Sequence, residues 1–224
     1  MRDYSKRLHS GGTNLSVAGS QIPAYLCPTD DAEGRKIVRA FARSNYAACF
    51  GSTTLAPFLP QGHQVIYLEV QTLDFDGPRV ENDGVFRLQG SKRGRQLRRI
   101  SDGTSHTVML SELLAGHQDG NVESDQRGLW ISTHAGGSMY THQLTPNSSA
   151  PDGLFYCIDV FSPPSPPGVQ VAVYVAWAAA RSRHPGGVNV AFGDGHIECK
   201  IDEIDLVTWQ ALATIAGGEV ISDE

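Results

Sequence analysis

No run of about 18 consecutive apolar residues occurs in the 224-residue chain, so nothing in it reads as a membrane-spanning helix or a standard signal peptide. The four cysteines, Cys27, Cys49, Cys157 and Cys199, lie far apart with no Cys-x-x-Cys pair, which argues against a thiolate zinc site. The histidines (His9, His63, His106, His117, His134, His142, His184 and His196) show neither His-Glu-x-x-His nor His-x-His spacing, and a zinc hydrolase is not expected. There is no Gly-x-Ser-x-Gly elbow, and Ser105 beside His106 in sequence does not amount to a nucleophile and its base. A Walker loop is missing, as is a Gly-x-Gly-x-x-Gly turn after a strand, so nucleotide chemistry has no support. Positive charge is also scarce. With 18 Lys and Arg against 24 Asp and Glu the net charge is −6, the wrong sign for a chain that neutralises phosphates, and a nucleic-acid partner is not expected.

What is present describes a water-soluble folded body, 40% hydrophobic and 19% charged. Residues 1–21 are polar and rich in Gly and Ser, which predicts a flexible arm; residues 22–224 form a single globular domain, since no boundary or internal repeat divides them. Residues 65–70 read as a buried strand stopped by the Asp-Gly-Pro turn at 76–78. Further strands are expected at 84–88, at 107–112 after the Asp102-Gly103 turn, and at 128–132 around Trp130. Another is expected where Val169, Val171, Val173 and Val175 alternate after the Pro-rich turn at 162–168. A last helix starts at Asp205 as N-cap, carries Leu206, Trp209, Leu212 and Ala213 as an apolar side, and ends at Gly217-Gly218. The fold class that follows is α+β, mainly antiparallel sheet with few helices. Arg87, Lys92, Arg93, Arg95, Arg98 and Arg99 crowd one segment while Asp202, Glu203, Asp205, Glu219, Asp223 and Glu224 follow Lys200, an asymmetry that suits a solvated loop or a head-to-tail contact between copies.

The most specific stretch runs from His184 to Ile201. Asp194-Gly195 suits a two-residue hairpin turn with positive φ, flanked by alternating apolar residues. That turn would set Phe192 opposite Ile197, Val190 opposite Cys199 and Val188 opposite Ile201, with all six apolar side chains on one face. It would also hold Asp194 at the tip and His184 before the other end of the first strand, too far apart for an acid/base pair. Asp194 is then a turn residue, and His184 sets the entry to Pro185-Gly186-Gly187 by packing or a hydrogen bond.

The phrase Arg181-x-x-His184-Pro185-Gly186-Gly187-Val188-Asn189-Val190-x-Phe192-x-Asp194-Gly195 resembles the C-terminal His-x9-Asp-Gly signature of the bacterial domain of unknown function 1559 family. The likeness continues at Ile204-Asp205-Leu206, Trp209 and Gly217-Gly218-Glu219-Val220. It recurs upstream at Ile100-Ser101-Asp102-Gly103-Thr104-Ser105-His106-Thr107 with Ser111-Glu112, at Tyr25-Leu26-Cys27-Pro28-Thr29-Asp30, and at Ser44-Asn45-Tyr46 with Cys49 and Gly51. It spans roughly residues 22–221. Members are pseudopilin-like exported proteins that usually open with a short basic leader and a long apolar helix. This chain opens Met1-Arg2-Asp3-Tyr4 and shows neither, which reads as a short member or one from which the helix was removed.

The resemblance implies a pseudopilin-like globular head in the cell envelope or outside the cell. Its role would be structural, in assembly or adhesion, through protein or envelope polymers and by self-association, and it would not be an enzyme. It also implies that His184, Gly186, Gly187, Asp194, Gly195, Asp102, Gly103, Cys27 and Cys49 are structural motif positions. The even cysteine count permits three disulfide connectivities, and the family's cysteine positions favour Cys27 with Cys49. No cofactor is expected; the alternative is calcium on Asp194, Asp202 and Asp205, with Glu203 nearby, although solvated acids and a helix cap explain the same residues. A solute- or carbohydrate-binding module with Trp130, Tyr140, Tyr156 and Trp177 lining a groove is the second reading, and a hydrolase the remote third.

Overall fold

The computed structural model describes residues 13–30, 41–54, 82–86, 94–116, 125–132, 134–155, 157, 166–171 and 175–219. The strand expected at 65–70, the turns at 76–78 and 162–165, and residues Arg87, Lys92, Arg93, Tyr156 and Val173 lie outside them.

Among the described residues, seven strands and two short α-helices follow in the order α1 (Thr13–Ala18), β1 (Tyr46–Cys49), β2 (Val108–Glu112), β3 (Met139–Tyr140), β4 (Asp152–Leu154), β5 (Gly168–Gln170), β6 (Gly187–Phe192), β7 (Ile197–Ile201) and α2 (Leu206–Ala211). Five strands form one sheet in the order β3-β1-β2-β6-β7, antiparallel except for β1 with β3, and β4 pairs with β5 in parallel. The class is α+β, dominated by antiparallel sheet, as the residue pattern predicts. No described helix is long and apolar enough to cross a membrane.

One sheet face carries the core. Ala47, Cys49, Val108, Val188, Val190 and Phe192 pack there with Tyr140, Leu154 and Ala178, and the face is closed by Trp209, Leu212 and Ala213 from α2 and the turn after it. Asp205 caps α2 by accepting the Thr208 amide at 2.9 Å, as expected. The helix stops at Ala211, well before Gly217-Gly218, and Leu206 is exposed rather than on the buried side.

Other expectations are corrected. Residues 13–18 are helical rather than a loose arm, and Ala18 is buried against Phe41 and Leu129. The segment at 128–132 makes turns, and only Leu129 pairs, in a single bridge to Arg43. The alternating valines yield a strand that ends at Gln170, with Val175 outside it.

The hairpin forms, but its register differs from the expected one by one residue. Phe192 donates its amide to His196 and accepts from the Gly195 amide, both at 3.0 Å, so the loop is three residues, Gly193 to Gly195, with Gly195 at φ 94°. Two distant bonds set that length: the amides of Gly193 and Asp194 donate to the carbonyls of Thr107 and Thr104 at 2.9 and 3.1 Å. The slip reverses the faces of β7. Val188 now pairs with Lys200 and Val190 with Glu198, while Ile197 and Ile201 turn outward at 70% and 57% exposure, with Cys199 exposed between them. The polar side chains brought to the core side sit at its rim, where the His196 ring stacks on Phe192 at 4.3 Å and Lys200 Nζ lies 5.3 Å from the centre of the same ring.

No atom outside its own neighbours lies within 4 Å of a Cβ built on Gly195, so backbone strain alone penalises a side chain there. Gly195→Val is expected to destabilise the protein by about 1–3 kcal/mol, measured as a shift in urea midpoint. An unchanged midpoint would contradict the positive-φ loop.

Candidate functional site

The outer face of the sheet carries a different set of residues. Its rows can be read from the register: Ala48, Leu110, Ala191 and Ile197 are successive partners across four strands, and Tyr46 and Glu112 are partners in the next row, as are Asn189 and Cys199. Over Glu112, two chain segments meet. The Tyr25-to-Asp30 segment brings Cys27, and the loop leading into β6 brings His184.

The three side chains converge on one point. His184 Nε2 lies 3.0 Å from Glu112 Oε1 and 3.5 Å from Cys27 Sγ, and one ligand-type atom from each residue falls within 4.8 Å of the others. Glu112 is 2% exposed and Cys27 5%, while the His184 side chain keeps 29% of its surface and reaches solvent. Each is held from behind. Glu112 Oε2 accepts the Asn189 amide at 2.8 Å. Cys27 Sγ contacts Thr29 Oγ1 at 3.0 Å, and its backbone amide donates to Asn45 Oδ1 at 2.9 Å. The His184 amide donates to Ser182 Oγ at 3.0 Å.

A buried carboxylate pins the segment that carries Cys27. Asp30 accepts from Asn45 Nδ2 at 2.6 Å, from the Ala115 amide at 3.1 Å and from Arg183 Nε at 3.2 Å. Thus Asp30, Asn45 and Arg183 tie the two motif-bearing segments to the sheet beneath Cys27 and His184. Tyr46 stands beside them, its phenol pushed up by partial burial and, secondarily, by the neighbouring Cys27 and Glu112. A cleft of about 470 Å³ opens next to His184, lined by Asn147, Arg181, Arg183 and Asp202 among others.

Chemically, this is a thiol, a carboxylate and an imidazole around one point, the donor set of a zinc-class cation. The absence of close-spaced cysteines and histidines in the sequence gave no hint of it, because each donor comes from a different segment. Its signal lay in the motifs themselves: Cys27, Glu112 and His184 each fall in a different one of the stretches that resemble the family, and folding joins them.

The remaining predicted positions are dispersed. Asp194 caps the hairpin loop, accepting from the His196 amide at 3.1 Å, with the His196 ring 2.6 Å away. Asp202 accepts from Asn147 at 2.7 Å and Asp205 caps α2, so the three do not form a common oxygen cage. Asp102 follows a different logic: its carboxylate accepts from the amides of Gly217 and Gly218 at 2.8 and 3.1 Å, with Gly103 completing the turn at φ 97°. Gly186 also has positive φ, at 78°, next to His184.

Cys27 and Cys49 are both free thiols, not the expected disulfide. Cys49 points into the core on the opposite side of β1 from the Cys27 cluster, and burial pushes its thiol up to about 12, which keeps it protonated. His142 is fully buried and His134 half-buried, and desolvation lowers them to about 3 and 4, so both are neutral at neutral pH. Among the described candidates the aromatic groove is not assembled. Tyr140 is fully buried, the Trp177 indole donates to the Pro151 carbonyl at 3.1 Å, and Trp130 meets Tyr25 edge-on at 6.4 Å.

Comparison with family models matches residues 2–207 to a protein of unknown function, DUF1559. No curated protein and no solved structure matches the chain. With nearly the whole chain covered by that model, the chain belongs to the DUF1559 family.

Proposed function

We propose that this chain is a non-enzymatic, pseudopilin-like structural domain of the bacterial cell envelope, which assembles with protein, copies of itself included, through the outer face of its sheet. The observation that carries this reading is the apolar row on that face. Leu110 and Ile197 are exposed at 42% and 70% with only Ala191 between them, and Ile201, 57% exposed, continues along β7. Large aliphatic side chains aligned on one face favour burial against a partner, worth about 1.5–3 kcal/mol each when fully covered. Among the described strands β7 lies at the end of the order, the position from which an edge can pair with a second chain. Family membership supports an envelope location, and the structural bonds found for Asp102, Asp194 and Asp205 support a scaffold role for the motif residues.

Sedimentation velocity over a concentration series tests the reading. The wild type is expected to self-associate, and Ile197→Asp to weaken association by about tenfold or more, the equivalent of about 1.4 kcal/mol. A wild type that stays monomeric throughout, or an Ile197→Asp variant that associates equally well, would overturn it.

A further inference from the structure

We propose that Cys27, Glu112 and His184 bind one divalent transition-metal ion of the zinc class, with solvent in the fourth position. Two of the three separations can be compared with a tetrahedral centre, and both come close. Zinc bonds of about 2.3 Å to sulfur and 2.0–2.1 Å to nitrogen or oxygen at tetrahedral angles place sulfur and nitrogen about 3.5 Å apart, and nitrogen and oxygen about 3.3 Å apart. The structure has 3.5 Å from Cys27 Sγ to His184 Nε2 and 3.0 Å from His184 Nε2 to Glu112 Oε1.

A second observation favours an ion over plain hydrogen bonds. Nε2 of an imidazole carries either one proton or one lone pair, yet it faces both the thiol and the carboxylate. A proton there serves Glu112 and leaves the Cys27 thiol only Thr29 Oγ1 to donate to; a lone pair there serves Cys27 and opposes Glu112. A cation at the common point satisfies all three donors. Charge is balanced as well: one thiolate and one carboxylate neutralise a dication, so Glu112, only 2% exposed, sits in a centre with no net charge. Binding is a ligand exchange, in which the hydrated ion gives up waters, the Cys27 thiol releases its proton to solvent, and His184 binds through the Nε2 lone pair. The Asn189 amide on Glu112 and the Thr29 hydroxyl against Cys27 hold two of the ligands in place, the orienting role that outer partners take around metals. The ion would join the Cys27 segment, β2 and the entry to β6 on the outer sheet face.

The test uses the full chain, reduced and stripped with a chelator, then titrated with cobalt(II) and back-titrated with zinc. One ion per chain is expected, with a thiolate-to-cobalt charge-transfer absorption that zinc abolishes. Cys199→Ser, which alters the exposed cysteine, should keep that absorption and Cys27→Ser should lose it. Glu112→Gln and His184→Gln should each weaken zinc by more than the roughly 10–100-fold that loss of an outer partner costs. X-ray absorption of the zinc-loaded wild type should show one sulfur at about 2.3 Å, a readout that needs no variant to fold. No charge-transfer absorption in the wild type, its survival in Cys27→Ser, or a zinc shell of nitrogen and oxygen only would each overturn the proposal.

Discussion

Asp152→Ala is expected to cost about 3–5 kcal/mol of stability, the penalty for leaving buried charge without its partner. Asp152 is 1% exposed and stands between two buried arginines. Its Oδ1 accepts from Arg181 Nη2 at 2.9 Å and from the Ala179 amide at 3.0 Å, while its Oδ2 lies 3.3 Å from Arg127 Nη1. Arg127 holds Asp125 at 2.7 Å on its other side, so two guanidinium groups and two carboxylates close as a neutral set. Removing Asp152 leaves an excess positive charge among residues that water does not reach. This set also fixes β4 and the strand-free run through Ala179 and Ala180 against which the sheet core packs. Urea unfolding measures the loss, and a change under about 1 kcal/mol would show that the network does not hold the core.

Acid should weaken the protein through its buried imidazoles. His142 is fully buried, stacked on Trp209 at 3.6 Å, and desolvation lowers it to about 3, against the backbone bond to Trp209, which raises it. A carbonyl only accepts, so Nδ1–H donates to the Trp209 oxygen, and Nε2 is left to accept from the Tyr140 hydroxyl at 3.2 Å. A proton on Nε2 removes that acceptor. Because the folded value lies below the unfolded one of about 6.5, the unfolded chain binds more protons between them. Stability is therefore complete above about pH 6.5 and is lost as pH falls towards about 3, at about 1 kcal/mol per pH unit for this residue. His134, lowered to about 4, adds a similar slope over its own range. Unfolding free energy measured from pH 7 to pH 4 should fall accordingly, and His142→Gln should flatten the dependence whatever it does to absolute stability. A wild-type profile flat across that range would contradict the neutral buried assignment.

Local chemistry was readable where a local rule decides the outcome. Thr107 to Glu112 follows the Asp102-Gly103 turn, and it is a strand from Val108; Asp205 has the side chain and position of a cap, and it caps. The hairpin shows where such rules end. Asp-Gly at 194–195 promises a two-residue turn, yet the carbonyls of Thr104 and Thr107 capture the amides of Asp194 and Gly193, and a three-residue loop results. No local pattern contains those partners, and the one-residue difference turns Ile197 and Ile201 from core to surface. The metal-type cluster was hidden for the same reason. His184 meets Cys27 across 157 positions and Glu112 across 72, so spacing could not reveal it, although the family motifs marked all three segments. Asp152 and Arg127 left no sequence signal, and Arg181, which opens the His-x9-Asp-Gly phrase, gave no hint of its partners, since a charged residue reads as surface until its partner is known.

The central claim, that the outer sheet face is the assembly surface, is tested most directly by hydroxyl-radical footprinting of the full chain at low and high concentration. Ile197, Ile201 and Leu110 are predicted to lose labelling as the chains associate, while exposed Leu97, in a 3-10 turn outside the sheet strands, keeps its own. Association accompanied by unchanged labelling of all three, or by protection of Leu97 instead, would contradict the account.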